Sequence, residues 1–192
     1  MAKRLFDLMC AFLGLLVLSP LILIIAICVL CSGRGPIVFA HERMGRDFKP
    51  FKLLKFRTMV DGASGPSITI RGDKRVTAVG RVLRRSKLDE LPQLINVLKG
   101  DMSLVGPRPE VREYVERFRN DYKTILTLRP GVTDEASIVF RHEDAILASG
   151  DKPEEKYLSE VLPRKIELAK RYVTNRTFFG DIRIIFRTLG RL

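Results

Sequence analysis

The sequence predicts an α+β fold that is mostly helical, with an apolar helical hairpin at its amino-terminal end and a small β-element behind it. Three observations carry this reading. Residues 8–32 contain no charged side chain. The apolar run Ile37-Val38-Phe39-Ala40 is a short strand candidate, and Met44-Gly45-Arg46-Asp47 makes a turn before residues 48–56. Beyond residue 75, apolar residues recur at helical spacing in several separate stretches.

The apolar segment comes first in the chain. A helix needs about 20 apolar residues to cross a bilayer, so length alone fits a single transmembrane span. Two features favour a different path. Ser19-Pro20 stands at the midpoint, where proline removes a backbone donor and clashes with the preceding turn. Lys3 and Arg4 precede the segment, and Arg34, Arg43, Arg46, Lys49, Lys52, Lys55 and Arg57 follow it, so the positive-inside rule asks for both flanks on the cytoplasmic side. A re-entrant helix that breaks at Ser19-Pro20 and returns to the same face meets that demand, with the serine hydroxyl helping to occupy carbonyls freed by the proline. The apolar run is longer than a signal-peptide core and no clear small-residue cleavage site follows it. Cys10, Cys28 and Cys31 all lie in or at the end of this run, with no histidine or acid nearby to complete a metal set, and read as small apolar residues.

The remaining elements follow in order. Residues 61–74, rich in glycine, serine and proline, predict a mobile loop, either a lid over a site or an inert surface loop. Apolar positions 76, 79, 82 and 83 predict a helix over 76–83, and a second helix runs over 91–98 with Gly100 as its stop. Residues 111–128 read as one helix ending at Arg129-Pro130-Gly131, and 151–176 as a charged helix kinked near Pro163. Residues 178–192 place Phe178, Ile182, Ile185, Phe186 and Leu189 on one face of an amphipathic helix, which suits either the membrane interface or packing on the domain. The expected organisation is a membrane hairpin over 1–34, a catalytic domain over 35–177 and an interfacial helix over 178–192.

The chain has 192 residues and a formal charge of +12, which calls for an anionic partner. A nucleic-acid partner is disfavoured because no recognisable binding motif or aromatic stacking platform is present. Against this basic background, Leu88-Asp89-Glu90-Leu91-Pro92 sets two acids side by side just after Arg81, Arg84 and Arg85. Pro92 suits the first position of the following helix, which would put Asp89 and Glu90 at a helix amino terminus, where anions are favoured. Capping is one reading of the pair, and Ser86-x-x-Asp89 fits a capping box. The other is chemistry. Val105-Gly106-Pro107-Arg108-Pro109 holds one arginine in a rigid backbone suited to bidentate phosphate contact, and Lys55-Phe56-Arg57 adds cations. Carboxylates among phosphate-binding cations, beside a membrane segment, suit phosphoryl transfer at an interface, to water or to another acceptor.

The chain resembles the bacterial small monotopic phosphoglycosyl transferases over nearly its whole length, most densely over residues 3–131. The likeness is carried by Ser19-Pro20 within its apolar segment, Gly35-Pro36-Ile37-Val38-Phe39, Lys55-Phe56-Arg57-Thr58-Met59, Leu88-Asp89-Glu90-Leu91-Pro92-Gln93-Leu94, Asn96-Val97-Leu98-Lys99-Gly100-Asp101-Met102-Ser103, Val105-Gly106-Pro107-Arg108-Pro109 and Arg129-Pro130-Gly131-Val132-Thr133. The resemblance implies a monotopic protein of the bacterial inner membrane with its site on the cytoplasmic face. It implies ping-pong transfer of a sugar-1-phosphate from a UDP-sugar to polyprenyl phosphate, with release of UMP. Asp89 matches the family's nucleophile, and Glu90 its partner in binding Mg2+ or handling protons, so both acids are candidate metal ligands. Lys55, Arg57, Arg84 and Arg108 are the candidate phosphate-binding residues. Membrane lipids are expected partners, nucleic acid is not, and a homodimer is left open. After Thr133 the chain departs from the family pattern over 134–143, so the sugar does not carry across, and His41 stands where many relatives have glutamine.

Overall fold

The apolar segment folds as two helices rather than one. In the computed structural model, which describes residues 2–63, 65, 69–70, 72–148 and 152–190, helix α1 (Ala2–Val17) and helix α2 (Ser19–Cys31) meet at Leu18 with a bend of 64°. Proline is the cause. Pro20 has no N–H to donate to the carbonyl of Leu16, and the Ser19 hydroxyl takes that carbonyl instead at 2.8 Å. Among the described residues no single helix is long and apolar enough to cross a membrane, although the bent pair reaches the required length and composition together.

Each helix of the bent pair has one side against the protein. Ala11 of α1 packs with Leu53, Val97 and Met102, and Ile25 and Val29 of α2 pack with Phe56 and Leu83. Leu5, Met9, Phe12, Leu13, Leu16, Leu23, Ile24 and Ile27 are exposed on the other side. Lys3 and Arg4, read from the sequence as a positive flank, are tied to the protein. Arg4 donates to the carbonyl of Val97 at 2.8 Å, at the end of a helix described below, and the Lys3 ammonium meets Asp181.

Strands β1 (Val38–Met44) and β2 (Pro50–Phe56) form an antiparallel hairpin in register from Val38 opposite Phe56 to Met44 opposite Pro50. This is the expected β-element, with the first strand extending as far as Met44, where the predicted turn begins. The reversal is made by Asp47 and Phe48, both in the left-handed region at φ 55° and 59°. Of the loop expected over 61–74, residues 64, 66–68 and 71 lie outside the described residues. Helix α3 (Ala78–Arg85), a 3-10 turn (Leu88–Glu90) and helix α4 (Gln93–Lys99) follow, and Gly100 ends α4 at φ 93° as predicted.

The strands that sequence patterning does not show are β3 (Ser103–Val105) and β4 (Gly131–Thr133), which pair in parallel with Ser103 opposite Gly131 and Val105 opposite Thr133. Three residues are too few for a period of two to register. The single helix expected over 111–128 is two, α5 (Arg112–Arg117) and α6 (Arg119–Ile125), because the backbone leaves helical geometry at Phe118. Helix α7 (Glu135–Val139) lies within the divergent segment, and α8 (Glu143–Ala148) begins at its last residue. Helix α9 (Pro153–Lys156) continues through one π turn into α10 (Leu162–Asn175), and that turn absorbs Pro163. The main core lies here, where Tyr114, Val115, Tyr122 and Ile125 of α5 and α6 meet Tyr157, Leu162 and Ile166.

Helix α11 (Phe178–Leu189) is amphipathic, but its buried side is Asp181 and Ile184 rather than the apolar stripe. Phe178, Phe179, Phe186 and Leu189 are exposed, Phe179 to 81%. The Phe6 and Phe178 rings meet edge to face at 5.3 Å, so the apolar faces of α1 and α11 adjoin.

Candidate active site at the acid pair

The acid pair is positioned by what brackets it. The Ser86 hydroxyl turns back to the carbonyls of Val82 and Leu83 and closes α3, so it forms no capping box with Asp89. Lys87 then reverses the chain in the left-handed region at φ 58°. Leu88 and Leu91 pack into the cluster formed by α2, α3 and Phe56, which anchors the intervening Asp89 and Glu90 beside α2. Pro92 caps α4 one position earlier than predicted, and Asp89 and Glu90 lie in the 3-10 turn before it.

The two acids have different surroundings. The Glu90 carboxylate accepts from Lys55 at 2.7 Å and from Arg108 at 3.4 Å, both on Oε1. Burial would push this carboxyl up, but Lys55 and Arg108 override it and hold Glu90 well below the usual carboxylate range. Asp89 is 6% exposed, and among the described residues its Oδ1 is buried with no hydrogen-bond partner. Burial raises its proton affinity, and Lys55, Arg84 and Lys87 pull the other way without cancelling it.

Among the described residues, four cations, Lys55, Arg84, Lys87 and Arg108, therefore face the two carboxylates. Arg84 reaches the site from the end of α3, held by its Nε on the Thr58 hydroxyl at 2.8 Å, and Asp89 and Asp73 act on it. Arg108 follows β3 and spans from Glu90 to the Ser137 hydroxyl of α7, 3.4 Å away, so the divergent segment touches the site. Glu90 holds the Arg108 guanidinium firmly in its charged form. Lys87, which the sequence pattern does not single out, is pushed down by burial and by Arg108. Its closeness to Asp89 in sequence was the available signal.

Arg57 stands apart. It is 6% exposed and donates to the carbonyls of Arg34 at 2.6 Å, Val29 at 2.8 Å and Gly33 at 2.6 Å, which caps the end of α2. The structure brings Lys55, Arg84, Arg108, Asp89 and Glu90 together and gives Arg57 to the end of α2.

The depressed Glu90 carboxyl has a measurable consequence. Its ordinary value is 4.5, and because the folded value is lower, the ion pair contributes its stability above that pH and loses it as pH falls through the folded value. Glu90→Gln is expected to lower the midpoint of thermal unfolding at pH 7, and the difference from the parent is expected to shrink steadily below about pH 4. An unchanged difference down to pH 2.5 would show that the pair does not hold the charge.

Among the described residues no group of three or more His, Cys, Asp or Glu side chains gathers as a metal site. Mg2+ needs less. It is commonly held by one or two carboxylates together with substrate phosphates, and the unclaimed Oδ1 of Asp89 beside Glu90 fits that donor set.

A family model described as bacterial sugar transferase matches residues 1–192. The chain is 35% identical over 192 residues to a UDP-N-acetylgalactosamine-undecaprenyl-phosphate N-acetylgalactosaminephosphotransferase of Aeromonas hydrophila, covering 97% of this chain and 42% of that protein. It is 38% identical over 192 residues to a UDP-glucose:undecaprenyl-phosphate glucose-1-phosphate transferase of Escherichia coli strain K12, covering 97% and 39%. It is 34% identical over 208 residues to the exopolysaccharide production protein ExoY of Rhizobium meliloti strain 1021, covering 98% and 84%. The chain thus spans about two fifths of the length of the first two of these relatives.

Proposed function

The chain belongs to the bacterial sugar transferase family, and from that premise we propose that it moves a sugar-1-phosphate from a UDP-sugar to a polyprenyl phosphate such as undecaprenyl phosphate. The observation that carries the reading is the contrast within the acid pair. Glu90 is neutralised by Lys55 and Arg108, whereas Asp89 keeps one buried oxygen unclaimed amid Lys55, Arg84 and Lys87. A carboxylate so placed is a nucleophile that its surroundings have not quenched.

In the first step an Asp89 oxygen attacks the phosphorus that bears the sugar, and the bridging P–O bond to UMP breaks. The product is an acyl phosphate on Asp89. In the second step an oxygen of polyprenyl phosphate attacks the same phosphorus, the Asp89 carboxylate leaves, and a diphosphate-linked lipid sugar forms. Arg84, Lys87 and Arg108 balance phosphate charge throughout, and the surplus of two positive charges over the two acids suits an anionic donor. Glu90 keeps Lys55 and Arg108 aligned. Mg2+, held by Asp89 and Glu90 with substrate phosphates, would neutralise charge on the departing UMP.

Membrane attachment by a re-entrant hairpin fits the same reading. The exposed apolar residues of α1 and α2 adjoin those of α11. Both ends of the hairpin are fastened to one body, at Arg4 by the end of α4 and at the end of α2 by Arg57, which supports a path that enters and leaves on one side, taken as the cytoplasmic face of the inner membrane.

Purified protein in detergent is tested against a panel of UDP-sugars, with and without undecaprenyl phosphate. Expected is steady UMP release from at least one donor only when the lipid is present, no more than about one equivalent without it, and none after EDTA. Steady release without the lipid would mean that water is the acceptor, and silence across the panel in a folded protein would overturn the proposal.

A further inference from the structure

A second buried polar cluster, away from the acid pair, ties three helices to the strand that leads to Arg108. The carbonyl of Val105, at the end of β3, accepts from Lys3 Nζ of α1 at 3.2 Å, and the hydroxyl oxygens of Ser103 and of Tyr172 in α10 lie 3.0 and 3.2 Å from it, each giving its one proton to a nearer carboxylate. Asp181 of α11 orients Lys3 and holds the Tyr172 hydroxyl. Its Oδ1 accepts from Tyr172 at 2.7 Å and its Oδ2 pairs with Lys3. Asp7 of α1 takes the Ser103 hydroxyl at 2.7 Å from the other side. Both carboxylates are buried.

A buried carboxylate costs desolvation that an apolar residue of similar size would avoid, and this one holds its partners in a single geometry. That geometry reaches the site with little slack. Only Gly106 and Pro107 separate Val105 from Arg108, and Pro107 and Pro109 fix φ on both sides of the arginine. Gly106 is itself wedged against the backbone of Arg129 and Pro130. A rotation at Val105 therefore moves the Arg108 guanidinium relative to Glu90.

We infer that Asp181, held by Tyr172 and acting through Lys3 on the Val105 carbonyl, is a positioning residue for Arg108. Docking of α11 against α1 thereby sets the geometry of the candidate active site. The inference rests on the transferase reading only for its effect on turnover. The helix that bears the exposed Phe178, Phe179 and Phe186 also bears this latch, so the seating of the apolar face and the alignment of Arg108 are one mechanical unit.

The test uses the full chain in detergent with Asp181→Asn and, as a milder change that removes only a hydroxyl, Tyr172→Phe. Amide hydrogen exchange and steady-state kinetics are read on each. Expected is a rise of about tenfold in exchange over residues 103–109 with α4 unchanged, a fall of about tenfold in kcat, and a donor KM within twofold of the parent. Exchange that rises along α11 alone, or over 103–109 with kcat unaltered, would overturn the inference. So would a loss of activity in which KM rises as much as kcat falls. A parent protein that turns over no donor defeats the transferase reading, whereas the exchange pattern still decides whether the latch holds the Arg108 loop.

Discussion

Asp89→Asn is expected to abolish UMP release, by about a thousandfold or more, while making the protein more stable. The loss follows because an amide cannot form the acyl phosphate. The gain follows from burial. Asp89 has one oxygen with no partner, and burial holds its carboxyl above the ordinary value of 3.8. A carboxyl whose folded value is raised stabilises the fold below the unfolded value and loses that contribution as pH rises through the folded one. At pH 8 the ionised Asp89 is therefore a burden that asparagine lifts. The midpoint of thermal unfolding of Asp89→Asn is expected to exceed the parent's at pH 8 and to converge on it toward pH 4. Retained turnover would remove Asp89 from the reaction. A variant less stable than the parent at pH 8 would mean that the surrounding cations need the charge more than burial penalises it.

The same contrast shows what was legible in the sequence. That two acids stand in a basic run is visible by inspection, and so is the Ser19-Pro20 break, because proline acts on the backbone wherever it occurs. Which oxygen is paired is a property of the fold. Glu90 meets Lys55 across 35 positions and Arg108 across 18, and nothing in the local pattern separates it from Asp89. Lys3, Arg4 and Arg57 illustrate the opposite case. A cation beside an apolar segment reads as a membrane flank or a phosphate ligand, yet Arg4 and Arg57 close the ends of α4 and α2 through carbonyls, and Lys3 belongs to the Asp181 cluster. Charge is legible in a sequence, whereas its partner is not. The C-terminal helix carries the same lesson, since its buried side is Asp181 together with Ile184, while Phe178, Phe186 and Leu189 of the apolar stripe are exposed.

Gly131→Ala is expected to be among the most damaging substitutions outside the acid pair, for a reason visible only when two distant motifs are brought together. Val105-Gly106-Pro107-Arg108-Pro109 and Arg129-Pro130-Gly131-Val132-Thr133 form one unit, joined by Ser103 N–H to the Pro130 carbonyl at 2.9 Å, Gly131 N–H to Pro107 at 2.9 Å and Gly106 N–H to Thr133 at 3.2 Å. A Cβ on Gly131 would lie 2.1 Å from the Gly106 nitrogen, 2.4 Å from its oxygen and 2.6 Å from the Thr133 oxygen. These are backbone atoms, so no side chain can swing aside, and β3 and β4 must separate. The expected loss of stability is about 3 kcal/mol, at the upper end for the insertion of one methyl group. Activity should fall further than the folded fraction accounts for, because the displaced strand carries the Val105 carbonyl and, three residues on, Arg108. Measuring turnover per folded molecule, with the folded fraction taken from denaturant titration, separates the two effects. Turnover per folded molecule equal to the parent's would mean that Arg108 keeps its place when β3 and β4 part, and would detach the strand pair from the chemistry.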